Sequence, residues 1–227
     1  FYAINKNDNY FAISEYTKQD FIKHVPTINA EKIEVIPLST GQKYEKVEDK
    51  NKINEVRAKY NIPEGKKYLF SLCTLEPRKN LIFAVENFIE FIKRNKIDDF
   101  AFVLGGGQWA HFIEKLNTSI NNLDEYKDKI IKIGYVEDED MPALYSGAEI
   151  FVFPSVYEGF GMPILEAMKC GCPVICSNAA SMPEVIGDSG IQIDPTKSEE
   201  LIKAFEKMYF IKSFKDESSK KGVDSAK

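Results

Sequence analysis

The chain has 227 residues, with 30 basic against 35 acidic side chains, a net charge of −5, and apolar and aromatic shares of 44% and 12%. That length suits one large domain or one domain plus part of a second, and the apolar share is enough for a proper core. No apolar run nears the roughly 20 residues of a membrane span, no signal-peptide pattern is read at the start, and the acidic balance argues against nucleic acid as a partner.

In chain order, the first forty residues read as a strand ("NYFAIS"), a helix capped by Ser14 ("EYTKQDFIKH") and a second strand ("KIEVIPLS") ending at Pro37. Two strands and a helix bury no core alone, so residues 1–43 are expected to be the end of a domain whose beginning is absent, together with the crossover from it. The charged stretch "TGQKYEKVEDKNK" (40–52) reads as a linker or boundary.

Residues 44–211 then carry a repeating pattern. Short, almost continuously apolar runs, "YLFSLCTL", "FAFVLGGG", "KIIKIGYV", "EIFVFPS", "PVICSN" and "GIQID", have the character of strands covered on both faces. Between them lie helix-like segments. "NLIFAVENFIEFIKRN" has an apolar stripe at 81, 82, 85, 88, 89 and 92, "DEDMPALYSGA" opens with acids suited to a helix start, and "KSEELIKAFEKMYFI" opens on a Ser198 cap. Alternating strand and helix define an α/β fold, a Rossmann-like doubly wound parallel sheet. Residues 212–227 form a polar, Ser/Lys-rich tail expected to fray.

Four cysteines do not have zinc spacing. Cys170, Cys172 and Cys176 lie in "CGCPVIC", the last two flanking an apolar strand, and Cys73 stands apart, which reads as buried small hydrophobes in a reducing, cytoplasmic setting. Asp138, Glu139 and Asp140 mimic a D-x-D metal motif, but they directly precede an apolar helix whose N-terminal dipole they favour. No metal site is assigned.

Ligands of a doubly wound sheet bind beyond the carboxyl ends of its strands. The loops expected there are "TLEPRKN" with Arg78 and Lys79, "GGGQW" with Gly106, and "YEGFGMP", which enters a helix at Met162 and Pro163. Free amides at that helix start, with Gly159 and Gly161 admitting close approach, make an anion site. Lys79 and Arg78 are placed to add charge-assisted bonds to a phosphate. Glu158 before the turn and Glu166 inside the helix would then flank a diphosphate, each facing sugar hydroxyls: a nucleotide sugar. Read alone, the same glutamates are also compatible with a glycosidase acid/base pair or with ordinary surface acids, and "GGGQW" with a tight turn on which Trp109 packs.

"EGFGMPILE" followed by "AMKCGCPVI" resembles the E-x7-E region of retaining glycosyltransferase family 4, which has the GT-B fold. "TLEPRKN", "VLGGGQW", "IGYVEDEDMPALYSGAEIFVFPS" and "MPEVIGDSGIQIDP" resemble, in order, that family's C-terminal, nucleotide-sugar-binding domain. "FAISEYTKQDF" and "KIEVIPLS" resemble the end of its N-terminal, acceptor-binding domain. The resemblance implies that Glu166 holds the ribose hydroxyls and Glu158 the transferred sugar. It puts the backbone of Phe160, Gly161 and Met162 at sugar and phosphates, and Tyr135 and Val136 by the base. Lys79, helped by Arg78, would neutralise the diphosphate leaving group. The implied reaction moves a hexose with retention of configuration, without a metal or resident cofactor, in bacterial surface polysaccharide or glycoconjugate synthesis. Its acceptor is a sugar, a lipid-linked molecule or a protein, with peripheral membrane association of the full-length protein.

Two departures stand out. Cys73-Thr74 replaces the Gly-Arg of many relatives, leaving Arg78 as the substitute for a phosphate-binding arginine. The acceptor domain, which would bring the acceptor site and a histidine near the reacting centre, is expected to be missing; neither His24 nor His111 falls in a matching motif. These 227 residues alone are therefore expected to bind a nucleotide sugar without transferring it. The rival readings are a GT-B nucleotide-sugar epimerase and a non-catalytic nucleotide-sugar-binding module.

Overall fold

Strands whose side chains are buried on both faces must lie between two layers of helices. The computed structural model, which describes residues 4–5, 7–107 and 110–226, has this arrangement. Six parallel strands form the sheet: β3 (Lys67–Leu72), β4 (Phe100–Gly105), β5 (Ile130–Gly134), β6 (Ile150–Phe153), β7 (Val174–Ser177) and β8 (Ile191–Ile193). Their order is β5-β4-β3-β6-β7-β8. Chain direction across the sheet therefore reverses between β3 and β6, and a crevice opens beyond their carboxyl ends.

The helices of one layer are α3 (Leu81–Asn95), α4 (Ala110–Asn121) and α8 (Ser198–Phe210), packed through Phe88, Leu116 and Phe205. The other layer holds α2 (Lys50–Lys59), α5 (Met141–Gly147), α6 (Met162–Lys169) and α7 (Met182–Ile186), packed through Val56, Tyr145, Ile164 and Met182. The apolar stripe expected on α3 faces the core, with Leu81, Val85, Phe88, Ile89 and Ile92 buried.

The opening residues form β1 (Tyr10–Ala12), α1 (Glu15–His24) and β2 (Ile33–Val35). The two strands pair in parallel, and Ala12, Val25, Ile28 and Ile33 make a small separate cluster. Ser14 caps α1 as expected, accepting from the Thr17 amide at 3.0 Å.

Two local expectations are corrected, at Ser198 and in the tail. Ser198 is the first residue inside α8, with Lys197 at the cap position and no side-chain cap bond. Asp140 stands directly before α5 as expected, at its cap position, and its carboxylate takes Lys59 at 2.6 Å and Tyr60 at 2.8 Å rather than the helix amides. The tail is not frayed: α9 (Lys212–Ser225) packs on α6 and α8. Small residues allow this contact, with Gly222 against Met168, the Ser218 hydroxyl donating to the Ser189 carbonyl and that of Ser219 to Gly171, both at 2.6 Å. Gln108 and Trp109 of "GGGQW" lie outside the described residues.

Candidate active site

The loops after β3 and β6 meet at the crevice where the sheet reverses. The first runs through a 3-10 turn, Pro77–Lys79, that turns Lys79 inward. The second is sewn to it, the Val156 amide and the Ser155 hydroxyl both donating to the Arg78 carbonyl at 2.8 and 3.1 Å. Glu158 sits at their junction. It accepts from Lys79 and Ser155, each at 2.6 Å, and from Arg78 at 2.7 Å. The side chains of Lys79 and Glu158 are only 9% and 10% exposed. Burial alone would raise the Glu158 pKa, but the bonds from Lys79, Ser155 and Arg78 outweigh it and hold the carboxyl below the usual glutamate range. Arg78 also binds Glu76 at 2.7 Å and donates to the Tyr157 carbonyl at 3.0 Å. Sequence reasoning left Lys79 and Arg78 facing a phosphate; in the structure both are already shared with Glu158.

After Glu158 the chain turns through Gly159, Phe160 and Gly161 into α6. Gly161 has φ +108°, a conformation that favours glycine, and precedes Met162 and Pro163 at the helix start.

Glu166, one turn into α6, faces an open cavity of about 340 Å³, which Gly106, Tyr135 and Val136 also line. This brings together the ribose and base positions expected from sequence, apart from the Lys79–Glu158 knot. Tyr145 donates to Glu166 at 2.9 Å. Burial pushes the Glu166 carboxyl above its ordinary range, and the Tyr145 and Tyr44 hydroxyls only partly offset this. Gly106 has φ +125°, and a Cβ there would lie 1.9 Å from the Cys73 carbonyl oxygen, so the cavity floor requires glycine. Tyr135 is 68% exposed, an aromatic ring open to a flat ligand.

Sequence reasoning missed Lys43 and Tyr44 as cavity residues and Ser155 as a partner of Glu158. Tyr44 was the detectable one: an aromatic inside a charged stretch read as a linker, yet 6% exposed. Asp138 is paired with Lys43 at 2.6 Å at the cavity. Among the described residues, no group of three His, Cys, Asp or Glu side chains is placed to hold a metal ion, and no helix is long and apolar enough to cross a membrane.

A parallel sheet reversing at a crevice, with a buried cation–carboxylate knot on one side and a carboxylate-walled cavity on the other, defines an α/β domain of the Rossmann-like class. The chain belongs to the glycosyl transferases group 1 family, whose model matches residues 52–222. It is 40% identical over 128 residues to the O-antigen chain mannosyltransferase B of Escherichia coli, covering 56% of this chain and 33% of that protein. The serotype-specific mannosyltransferase WbdA of Escherichia coli is 30% identical over 201 residues, 88% of this chain and 24% of that protein. The chain thus spans a third or less of these two curated relatives. The crystal structure of Anabaena Alr3699/HepE in complex with UDP and glucose superposes with a TM-score of 0.84 at 19% identity, over 96% of this chain and 58% of that one. The fold is half of a GT-B fold, as expected from sequence.

Proposed function

We propose that the chain binds a nucleotide-diphosphate sugar and serves a glycosyltransferase that moves a hexose with retention of configuration, in the synthesis of a bacterial surface polysaccharide or glycoconjugate. The observation that carries this reading is the placement of the Lys79–Glu158 knot and the Glu166 cavity at the reversal of the sheet. The cavity takes the nucleoside: Glu166 accepts from the ribose hydroxyls, and Tyr135 and Val136 lie by the base. The diphosphate lies over the turn 159–161 and the start of α6, where amides and glycines admit an anion. Lys79 has three N–H donors, so the bond to Glu158 leaves others for the leaving diphosphate, and Arg78 adds charge beside it. Glu158 meets the hydroxyls of the transferred sugar. The chemistry asked of the protein is stabilisation of the departing diphosphate by fixed charges and amides.

The mannosyltransferase names of the two relatives and the UDP and glucose of the Anabaena complex favour a nucleotide-activated hexose. Titration calorimetry with UDP-glucose, GDP-mannose and ADP-glucose, in EDTA, tests the reading, and saturable binding of one of them is expected. Product analysis with and without sugar acceptors then separates transfer from epimerisation, and the anomeric configuration of the product reads retention.

A further inference from the structure

The turn 158–160 has every carbonyl held by a hydroxyl from another element. Ser181, at the start of α7, places its hydroxyl 3.0 Å from the Glu158 carbonyl and 2.8 Å from that of Phe160. Ser14 and Thr17 of the α1 cap both donate to the Gly159 carbonyl, at 2.7 and 2.9 Å. α1 is tied to α7 in turn: the Glu184 carboxylate accepts the amides of Glu15 and Tyr16 at 2.8 and 2.7 Å. Turn, α7 and α1 thus form a closed triangle of hydrogen bonds.

Ser181 occupies the cap position of α7 but makes no cap bond there. Its hydroxyl, fully buried, is given to the turn instead. In a trans peptide the carbonyl and the next N–H point in opposite directions. Holding the carbonyls of Glu158, Gly159 and Phe160 therefore aims the amides of Gly159, Phe160 and Gly161 the other way. Among the described residues those three amides make no hydrogen bond. They are ready-made anion donors only while the triangle holds.

We propose that Ser181, Thr17 and Glu184 are positioning residues for the sugar-diphosphate end of the ligand. They fix the peptide planes of the Glu158–Gly161 turn from behind, so that its amides face the phosphates and Glu158 stays on Lys79. The β1–α1–β2 unit is thereby part of the nucleotide-sugar site although no residue of it lines the Glu166 cavity. This rests on the proposed function, and it assigns the recognition of the diphosphate to elements outside the loops that touch it.

The test pairs two readouts on the whole chain and its Ser181→Ala, Thr17→Val, Thr17→Ser and Glu184→Gln variants. In the ligand-free protein, backbone NMR shifts of Gly159, Phe160 and Gly161 report the turn; Ser181→Ala and Thr17→Val should move them and Thr17→Ser should restore them. In binding titrations, Ser181→Ala and Thr17→Val should weaken whichever of UDP-glucose, GDP-mannose or ADP-glucose binds by about tenfold, and leave the matching nucleoside within about twofold. Glu184→Gln, which frees one α1 amide, should show the smaller loss of the same kind. Thr17 is part-exposed, so its variants stand even if Ser181→Ala misfolds. Unmoved turn shifts in folded variants would overturn the positioning role, whatever binds. So would equal loss of nucleoside and nucleotide sugar, which marks general damage. A wild type that binds none of the three sugars sinks the functional reading; the shift comparison still decides whether the triangle sets the turn.

Discussion

Lys79 Nζ lies 2.6 Å from Glu158 Oε1, with each side chain about nine-tenths buried. An ammonium and a carboxylate are costly to bury singly and tolerable together, so each residue is the condition for the other. Lys79→Met should therefore destabilise the fold by about 1.5–3 kcal/mol, the worth of a charge-assisted bond. Glu158→Leu combined with Lys79→Met should cost less than the sum of the two single changes. Urea denaturation of the four proteins checks this, and strict additivity would contradict the pairing.

Lys79 also has a ligand to meet. Lys79→Ala should weaken nucleotide-diphosphate-sugar binding about ten- to a hundredfold, and nucleoside binding far less. Equal losses for both ligands would remove Lys79 from the diphosphate.

The two glutamates should respond oppositely to pH. Glu158 is held below its ordinary value of 4.5, so its contribution is present above that value and is lost as pH falls through the lower folded one. Burial holds Glu166 above 4.5. Its contribution is present below the unfolded value and is lost as pH rises through the raised one. Glu158→Gln should flatten the acid limb of a stability–pH curve, whereas Glu166→Gln should be neutral or stabilising at pH 7. A Glu166 variant that is markedly less stable at pH 7 would contradict the desolvated carboxylate.

Glu166→Gln should nonetheless bind the nucleotide sugar less well, because an ionised carboxylate accepts from two ribose hydroxyls and a carboxamide has one oxygen to offer. A 2′-deoxyribose ligand should be penalised by the wild type and much less by this variant. Simple additivity of ligand change and mutation would place the ribose elsewhere.

Gly106→Ala puts a Cβ 1.9 Å from a backbone oxygen at a positive φ. Strain of this kind costs about 1–3 kcal/mol, so a clear drop in melting temperature is expected together with at least tenfold weaker nucleoside binding. A variant with native stability and affinity would show that the cavity floor tolerates a side chain.

The sheet was legible because its strands are apolar on both faces, and the glycine turn because "EGFGMP" spells it out. The ordering of helices around Glu166 and Gly106 followed from the same alternation. What stayed hidden depends on contacts across long stretches of chain. Nothing in "LEPRKN" says that Lys79 will be taken by a carboxylate 79 residues away. The docking of α9 through Ser218 and Gly222 has no apolar stripe to announce it. Tyr44 was hidden by its charged neighbours, and nothing around Ser181 marks its hydroxyl as the partner of carbonyls 23 and 21 residues away.

Calorimetric titration of the 227-residue chain with UDP-glucose, GDP-mannose and ADP-glucose, in EDTA and at pH 7, decides whether the crevice between β3 and β6 is a nucleotide-sugar site. One of the three should bind saturably without added metal, more tightly than its nucleoside, and both Lys79→Ala and Glu166→Gln should weaken it. Binding of none, or binding that both variants leave unchanged, would contradict the assignment.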